Sequence, residues 1–315
     1  MNRKLPQLQG GWFLTDGGIE TSLIYDDGLE LPEFASFVLL DDVEGRAALA
    51  RYFRRYLDIA AGANGAGFIL ESPTWRASPD WGAKIGYDAD SIRRVNGKAI
   101  ALMRELRDEY KARIGGPIVI SGCVGPRGDG YVAGHPMSGD DAMHYHLPQA
   151  RALADAGAEV ITAITMTTSG EAIGVVRAAR EVGLPCAISF TVETDGRLPS
   201  GESLREAIKG VDDATLRGPA YYMINCAHPT HFESVLADGG PWAARINGLR
   251  ANASTKSHAE LDAATELDAG DPTDLGRSYR RLRTPLPKLN VLGGCCGTDQ
   301  HHVAAICAAW QEQRA

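Results

Sequence analysis

Eight apolar runs of strand length, each followed by a segment with helical spacing, predict an α/β protein built as a closed (β/α)8 TIM barrel in a single domain, residues 1–315. Two further observations favour closure over an open sheet. No linker or low-complexity stretch separates the units, and 315 residues is within the size range of one such barrel.

The units follow in order. Gly10–Thr15 is a short apolar run ending in Asp16-Gly-Gly-Ile-Glu20, and residues 46–62 carry Leu49, Phe53, Tyr56, Leu57 and Ala60 at helical spacing. Ala66–Glu71 reads as the second strand, and residues 91–113 repeat the helical pattern through Ile92, Val95, Ile100, Met103 and Leu106. Pro117–Gly122 makes the third strand, leading into the loop Cys123-Val-Gly-Pro-Arg-Gly-Asp-Gly130. A helix is expected near 140–157, a strand at 159–164, a helix at 170–182 and a strand at Pro185–Phe190. Ser203 and Glu206 have the spacing of a capping box that opens the next helix. The sixth strand is Ala220–Asn225, and Trp242–Arg250 reads as the seventh, with helix and loop over 253–283. Leu289–Leu292 is the eighth strand, and Thr298-Asp-Gln opens a last helix carrying Val303, Ile306, Cys307 and Trp310.

The composition, 44% hydrophobic and 23% charged with 36 glycines, is that of an ordinary globular protein. A net charge of −8 argues against nucleic acid or anionic membrane as a partner held by bulk charge. The Arg51–Arg55 and Arg277–Arg283 clusters read as solvated helix faces. No apolar stretch approaches the roughly 18 residues of a membrane span, and the start of the chain lacks the apolar core of a signal peptide, so a cytoplasmic location is expected. Six cysteines scattered over this length do not form a disulfide framework, and in a reducing compartment they are expected to remain thiols.

The chemistry concentrates in Val291-Leu-Gly-Gly-Cys-Cys-Gly-Thr298. Adjacent Cα atoms sit about 3.8 Å apart, below the roughly 4.4 Å at which disulfides begin, so a bridge between Cys295 and Cys296 would be strained. A metal can use both sulfurs, since neighbouring thiolates in a tetrahedral site with bonds of about 2.3 Å lie a little under 4 Å apart. Cys226, closing the apolar run Met223-Ile-Asn-Cys, is the candidate third ligand. Buried packing is the competing account of each single cysteine. In a barrel the carboxyl ends of all strands share one face, which would bring Asp16, Cys226 and the cysteine pair together. A carboxylate followed by two glycines at a strand end, Asp16-Gly17-Gly18, can present N–H groups beside an anion and so grip a zwitterion. Ordinary turn chemistry is the alternative.

Gly293-Gly-Cys-Cys-Gly-Thr298 and Ile224-Asn-Cys226 resemble the two zinc motifs of the homocysteine S-methyltransferase family, the barrels that include S-methylmethionine and betaine methyltransferases and the homocysteine module of cobalamin-dependent methionine synthase. Softer matches are Thr15–Gly18, Gly122–Gly125 with Pro126, and Ile188–Thr191 with Asp195-Gly196 and Ser200-Gly201. The resemblance, which runs nearly end to end, implies a methyltransferase of the EC 2.1.1 class with Zn2+ on Cys226, Cys295 and Cys296. It implies no catalytic group beyond the metal centre, and methyl transfer from a small sulfonium or ammonium donor to homocysteine, giving methionine. It also implies that Asp16, Gly17 and Gly18 hold the acceptor's amino acid part, and that Asn252 resembles in position an asparagine that approaches the metal when no thiol is bound.

Two departures from the family stand out. Where the family carries a glutamate after strand four to hold the acceptor's ammonium group, this chain has Ile164. Where strand two tends to end in a Thr-Asn-Thr-like run, it has Glu71-Ser-Pro-Thr-Trp75. Either Glu71 supplies the missing charge or the acceptor is a different thiol. A non-catalytic zinc or thiol-sensor barrel is the reading from another class. Mixed Cys/His ligation through His228, His231, His301 or His302 is a third, and Trp75, Trp81 and Tyr131 are candidates to face a donor cation. His135, His144, His146 and His258 carry no spacing that assigns a role, and Cys123, Cys186 and Cys307 read as packing.

Overall fold

In a computed structural model describing residues 4–134, 136–237 and 239–312, eight parallel strands close into a barrel in chain order. They are β1 Trp12–Leu14, β2 Ala66–Glu71, β3 Ile118–Val124, β4 Val160–Met166, β5 Cys186–Thr191, β6 Tyr221–Asn225, β7 Ile246–Ala251 and β8 Val291–Gly294. Closure is made by β1 against β8, with Phe13 opposite Val291 and Leu14 opposite Leu292. Outside lie α1 Val43–Gly62, α2 Ala89–Tyr110, α3 Gly139–Ala156, α4 Ser169–Glu181, α5 Leu204–Thr215, α6 Glu233–Leu236, α7 Pro272–Leu282 and α8 Gln300–Gln311.

The expected strands are all present, with ends shifted by a few residues. The seventh differs most. Ala243–Arg245 forms a 3-10 turn, so the strand begins only at Ile246. Arg245 explains the early turn: its guanidinium leaves the strand line to grip Asp212 at 2.9 Å and the Pro219 carbonyl at 2.7 Å. The stretch 253–283 resolves into a short helix, His258–Asp262, and α7. The Ser203/Glu206 capping box forms as expected, and Asp88/Ser91 and Asp299/His302 do the same for α2 and α8. No described helix is long and apolar enough to cross a membrane.

Strand alternation divides the interior into two storeys. Phe13, Ile69, Val119, Val160, Ala187, Tyr221, Met223 and Val291 form one apolar cluster, closed by Leu5 from the N-terminal turn. The intervening residues, such as Leu14, Phe68, Leu70, Ile120, Ile161, Ile188 and Leu292, belong to the larger core beneath the helices. Continuing the inward parity toward the carboxyl ends, the next side chains are Glu71, Ser121, Cys123, Thr162, Ile164, Ser189, Asn225 and Arg250. The upper storey is therefore mostly polar, and it forms the floor of the site.

Candidate active site

A cavity of about 390 Å³ opens at the carboxyl ends of the strands, and its lining includes Asp16, Glu20, Glu71, Trp75, Arg76, Tyr131, Ile164, Arg250, His258 and all three expected metal-ligand cysteines. The sulfurs of Cys226, Cys295 and Cys296 lie within 4.8 Å of one another although the first two are 69 residues apart in sequence. Among the described residues they are the only such group of three potential metal donors.

Local backbone geometry delivers each sulfur. Cys226 follows β6 with a left-handed φ of 52°, and Thr165 near the end of β4 has φ 66°, conformations that cost a non-glycine residue of order 1 kcal/mol or more. Asn225 holds both turns: its Oδ1 accepts from the Thr165 N–H at 3.0 Å and the Ser189 hydroxyl at 2.6 Å, and its Nδ2 donates to Thr165 Oγ1 at 2.9 Å. The cysteine pair sits on a turn pressed against the β1 loop. A Cβ on Gly18 would come within 2.5 Å of the Cys295 carbonyl oxygen, and one on Gly293 would collide with Thr15.

That contact gives Gly18 a second task. The Gly18 N–H donates to the Thr298 carbonyl at 2.9 Å, so this glycine helps the β1 loop seat the cysteine turn. Asp16 is likewise committed. Its Oδ1 accepts from Arg250 at 2.8 Å and its Oδ2 from the Tyr52 hydroxyl at 2.9 Å, all buried. Arg250 also donates to the carbonyls of Gly294 at 3.0 Å and Gly17 at 3.1 Å, clasping the ends of β1, β7 and β8. Burial pushes the Asp16 carboxyl above its ordinary range while Arg250 and Tyr52 pull it back.

Glu71 is the contrasting case. It is 4% exposed, and neither carboxylate oxygen has a hydrogen-bond partner among the described residues. Burial raises its pKa to about 7, against the opposing charge of Arg250. Ile164 lies in the same cavity lining, so the apolar side chain noted at the end of strand four does face the site. Asn252 follows β7 and is buried with its Oδ1 unpaired, but it is not part of the cavity lining.

Tyr131, expected only to face a donor cation, and His258, which had no assigned role, both enter the site. The Tyr131 hydroxyl lies 3.0 Å from Cys296 Sγ and 3.8 Å from Cys226 Sγ. His258 bonds through Nε2 to the Cys226 carbonyl at 2.6 Å and through Nδ1 to Glu193 at 3.2 Å, with its ring 4.3 Å from that of Tyr131. No spacing rule finds either, because Tyr131 stands on a loop and His258 opens a short helix, and both are placed by tertiary contacts. The mixed Cys/His set does not form. His228 turns to Thr230 and is shifted down to about 4 by burial, His231 bonds the Thr255 carbonyl, and His302 caps α8. His301 is exposed at the start of α8, and His135 lies outside the described residues. Trp81 is also set aside: it does not line the cavity, and Arg76 and Lys84 both stack on it at 3.7 Å.

The expectation of six free thiols needs one correction, since Cys226 and Cys295 are joined as a disulfide while Cys296 stays free. Their sulfurs can meet because the barrel puts the two Cα atoms 5.4 Å apart, within the ordinary disulfide range. Reduced, the three sulfurs are a donor set suited to a thiophilic metal, with Asn252 Oδ1 left unpaired at the neighbouring strand end.

The family model for homocysteine S-methyltransferase matches residues 13–310. The homocysteine S-methyltransferase YbgG of Bacillus subtilis is 27% identical over 248 residues, covering 72% of this chain and 74% of its own length. Crystal structures of the Escherichia coli homocysteine methyltransferase MmuM share the fold. Its oxidized form has a TM-score of 0.76 at 19% identity, covering 97% of this chain and 99% of that one, and its metallated form has 0.72 at 20%, covering 96% and 97%. With a match across nearly its whole length, the chain belongs to the homocysteine S-methyltransferase family.

Proposed function

We propose that this chain methylates the thiol of homocysteine, using a small sulfonium or ammonium donor and Zn2+ held by Cys226, Cys295 and Cys296. The carrying observation is the three sulfurs gathered within 4.8 Å at the mouth of a barrel, in a cavity rich in carboxylates. Zinc on three cysteinates supplies an open Lewis-acid position at which a thiol loses its proton near neutral pH.

The chain's own residues do the rest. The Arg250–Asp16 clasp and the β1 glycines hold the cysteine turn in place, and His258 holds the backbone of Cys226. Tyr131 offers a hydrogen bond to Cys296 sulfur and, with Trp75, gives the cavity an aromatic wall. Asp129, Asp262, Glu266 and Asp268 line the same cavity, so a cationic donor meets a negative field. Reaction needs only alignment: the acceptor sulfur forms a bond to the methyl carbon as the donor's bond to that carbon breaks, the electron pair leaving on the donor heteroatom and the acceptor's thiol proton going to solvent. No side chain is required as general base. Asn252, buried where β7 ends and with no partner for its Oδ1 among the described residues, is assigned to the metal's open side when no thiol is bound.

The test is a metal and turnover assay on the reduced chain. About one zinc per chain and methionine from homocysteine plus S-methylmethionine are expected, and Cys296→Ala should lose both. Zinc-loaded protein inert toward a broad panel of thiols and methyl donors would overturn the reading.

A further inference from the structure

We propose that Arg76, at the outer rim of the cavity, binds a carboxylate of the methyl donor, so that the donor is a zwitterion carrying an acid group as well as its sulfonium or ammonium centre. The inference rests on the methyl-transfer reading above.

Among the described residues, seven carboxylates and two arginines line the cavity, with no lysine. Arg250 directs its hydrogen bonds to Asp16, Gly17 and Gly294. An anionic group entering this pocket is therefore repelled from every side but one. That side is Arg76. Its Nη1 donates to the Glu33 carbonyl, and its Nε has no hydrogen-bond partner among the described residues. The acids whose charge it feels, Asp129, Glu20 and Glu33, are engaged elsewhere. Asp129 accepts from the Tyr131 N–H at 2.7 Å, Glu20 from the Ser36 hydroxyl at 2.8 Å, and Glu33 pairs with Lys84 at 3.7 Å. A guanidinium has five N–H donors, so most of those on Arg76 remain to be filled.

The ion is also held ready. It stacks 4.8 Å from the centroid of Trp75 and 3.7 Å from that of Trp81. Stacking occupies its faces and leaves its edge, the fork that pairs with a carboxylate in one plane. Its place is the rim, since Trp81 lies outside the lining and Phe34, the residue after the carbonyl it grips, is 45% exposed. The acceptor's sulfur has to reach the cysteine cluster. In-line transfer then puts the donor's heteroatom on the far side of the methyl carbon, and the rest of the donor extends toward the rim. A carboxylate arriving at Arg76 thus belongs to the donor. The competing account is a brace, because Glu33 and Phe34 both hold left-handed φ, 54° and 55°.

The test compares ligands that differ only in the acid group. Calorimetry on the reduced chain with no acceptor present, using S-methylmethionine and its carboxamide, reads the site without turnover. Wild type should bind the acid about 10- to 100-fold more tightly, the scale of a charge-assisted hydrogen bond. Arg76→Gln should bind the two alike, and Arg76→Lys, which keeps the charge but not the fork, should recover part of the preference. In turnover, Arg76→Gln should raise KM for S-methylmethionine by a similar factor and leave that for homocysteine unchanged. Equal binding by wild type, no binding of S-methylmethionine, or undiminished preference in Arg76→Gln would each overturn the assignment, the last with a lowered Tm if the residue only braces the turn. A KM that rises for homocysteine instead would give the carboxylate to the acceptor and overturn the donor assignment. Absence of methyl transfer with the calorimetric preference intact would overturn the proposed reaction and leave the carboxylate site standing.

Discussion

Asp16 and Glu71 stand at the carboxyl ends of adjacent strands, both buried, both lining one cavity, and they are treated in opposite ways. Asp16 is surrounded by donors, with Arg250 at 2.8 Å and the Tyr52 hydroxyl at 2.9 Å. Glu71 has none. The difference teaches how to separate scaffold from site where both are made of the same residue type. A buried carboxylate whose lone pairs are filled by close donors holds strands together, whereas one without such donors carries the cost of its burial and shows it in a raised pKa. Chain position would have ranked them the other way, since Asp16 sits in the familiar Asp-Gly-Gly turn.

The comparison can be broken most forcefully at the clasp. Asp16→Ala leaves Arg250 charged, buried and short of its partner, and should cost about 3–5 kcal/mol of stability. A large drop in Tm, accompanied by loss of zinc uptake as the cysteine turn loosens, is the expected outcome. An unchanged Tm would mean that the pair does not brace the barrel.

Glu71→Gln should do the reverse. An acid whose folded pKa is about 7, above its unfolded value of 4.5, favours folding less as pH rises between those values, because the unfolded chain ionises first. The penalty is absent below about pH 4.5 and complete above about pH 7, where it amounts to about 3 kcal/mol for a shift of this size. Denaturation midpoints at pH 5 and pH 8 should therefore show Glu71→Gln gaining on wild type as the pH is raised. A constant offset between the two proteins would indicate that Glu71 is not desolvated in solution.

The cysteine cluster gives a third test, independent of either carboxylate. With the Cys226–Cys295 bond intact only Cys296 is free, so zinc uptake should require a reductant and fall to near zero on reoxidation, as read by metal content against free-thiol titration. Uptake by the oxidised protein would move the metal elsewhere. The smallest effect is expected at Tyr131→Phe, which removes one hydrogen bond to Cys296 and should slow turnover several-fold without altering zinc stoichiometry or Tm. A stoichiometry that falls with it would make Tyr131 part of the metal site itself.

Much of this was legible before any coordinates. Alternating apolar runs and helical spacings are local signals, and they located eight strands and most helices because each element must turn an apolar face to the core. The vicinal cysteines after two glycines and the cysteine closing strand six were visible as short motifs, and strand order alone implied that they would share one face. Strand seven starts later than its apolar run because Arg245 answers to Asp212, 33 residues away, and not to its neighbours.

The sequence by itself determined the barrel, the motifs and the absence of an acid at Ile164, since periodicity, turn chemistry and residue identity are written along the chain. Only the tertiary structure decided that Arg250 claims Asp16, that the Gly18 N–H is spent on Thr298, that Tyr131 reaches the sulfurs and His258 the Cys226 carbonyl, and that Glu71 is buried without a short hydrogen bond among the described residues. The reason is physical: whether a polar group is satisfied depends on which donors the fold brings within about 3 Å, and those donors come from segments far apart in the chain.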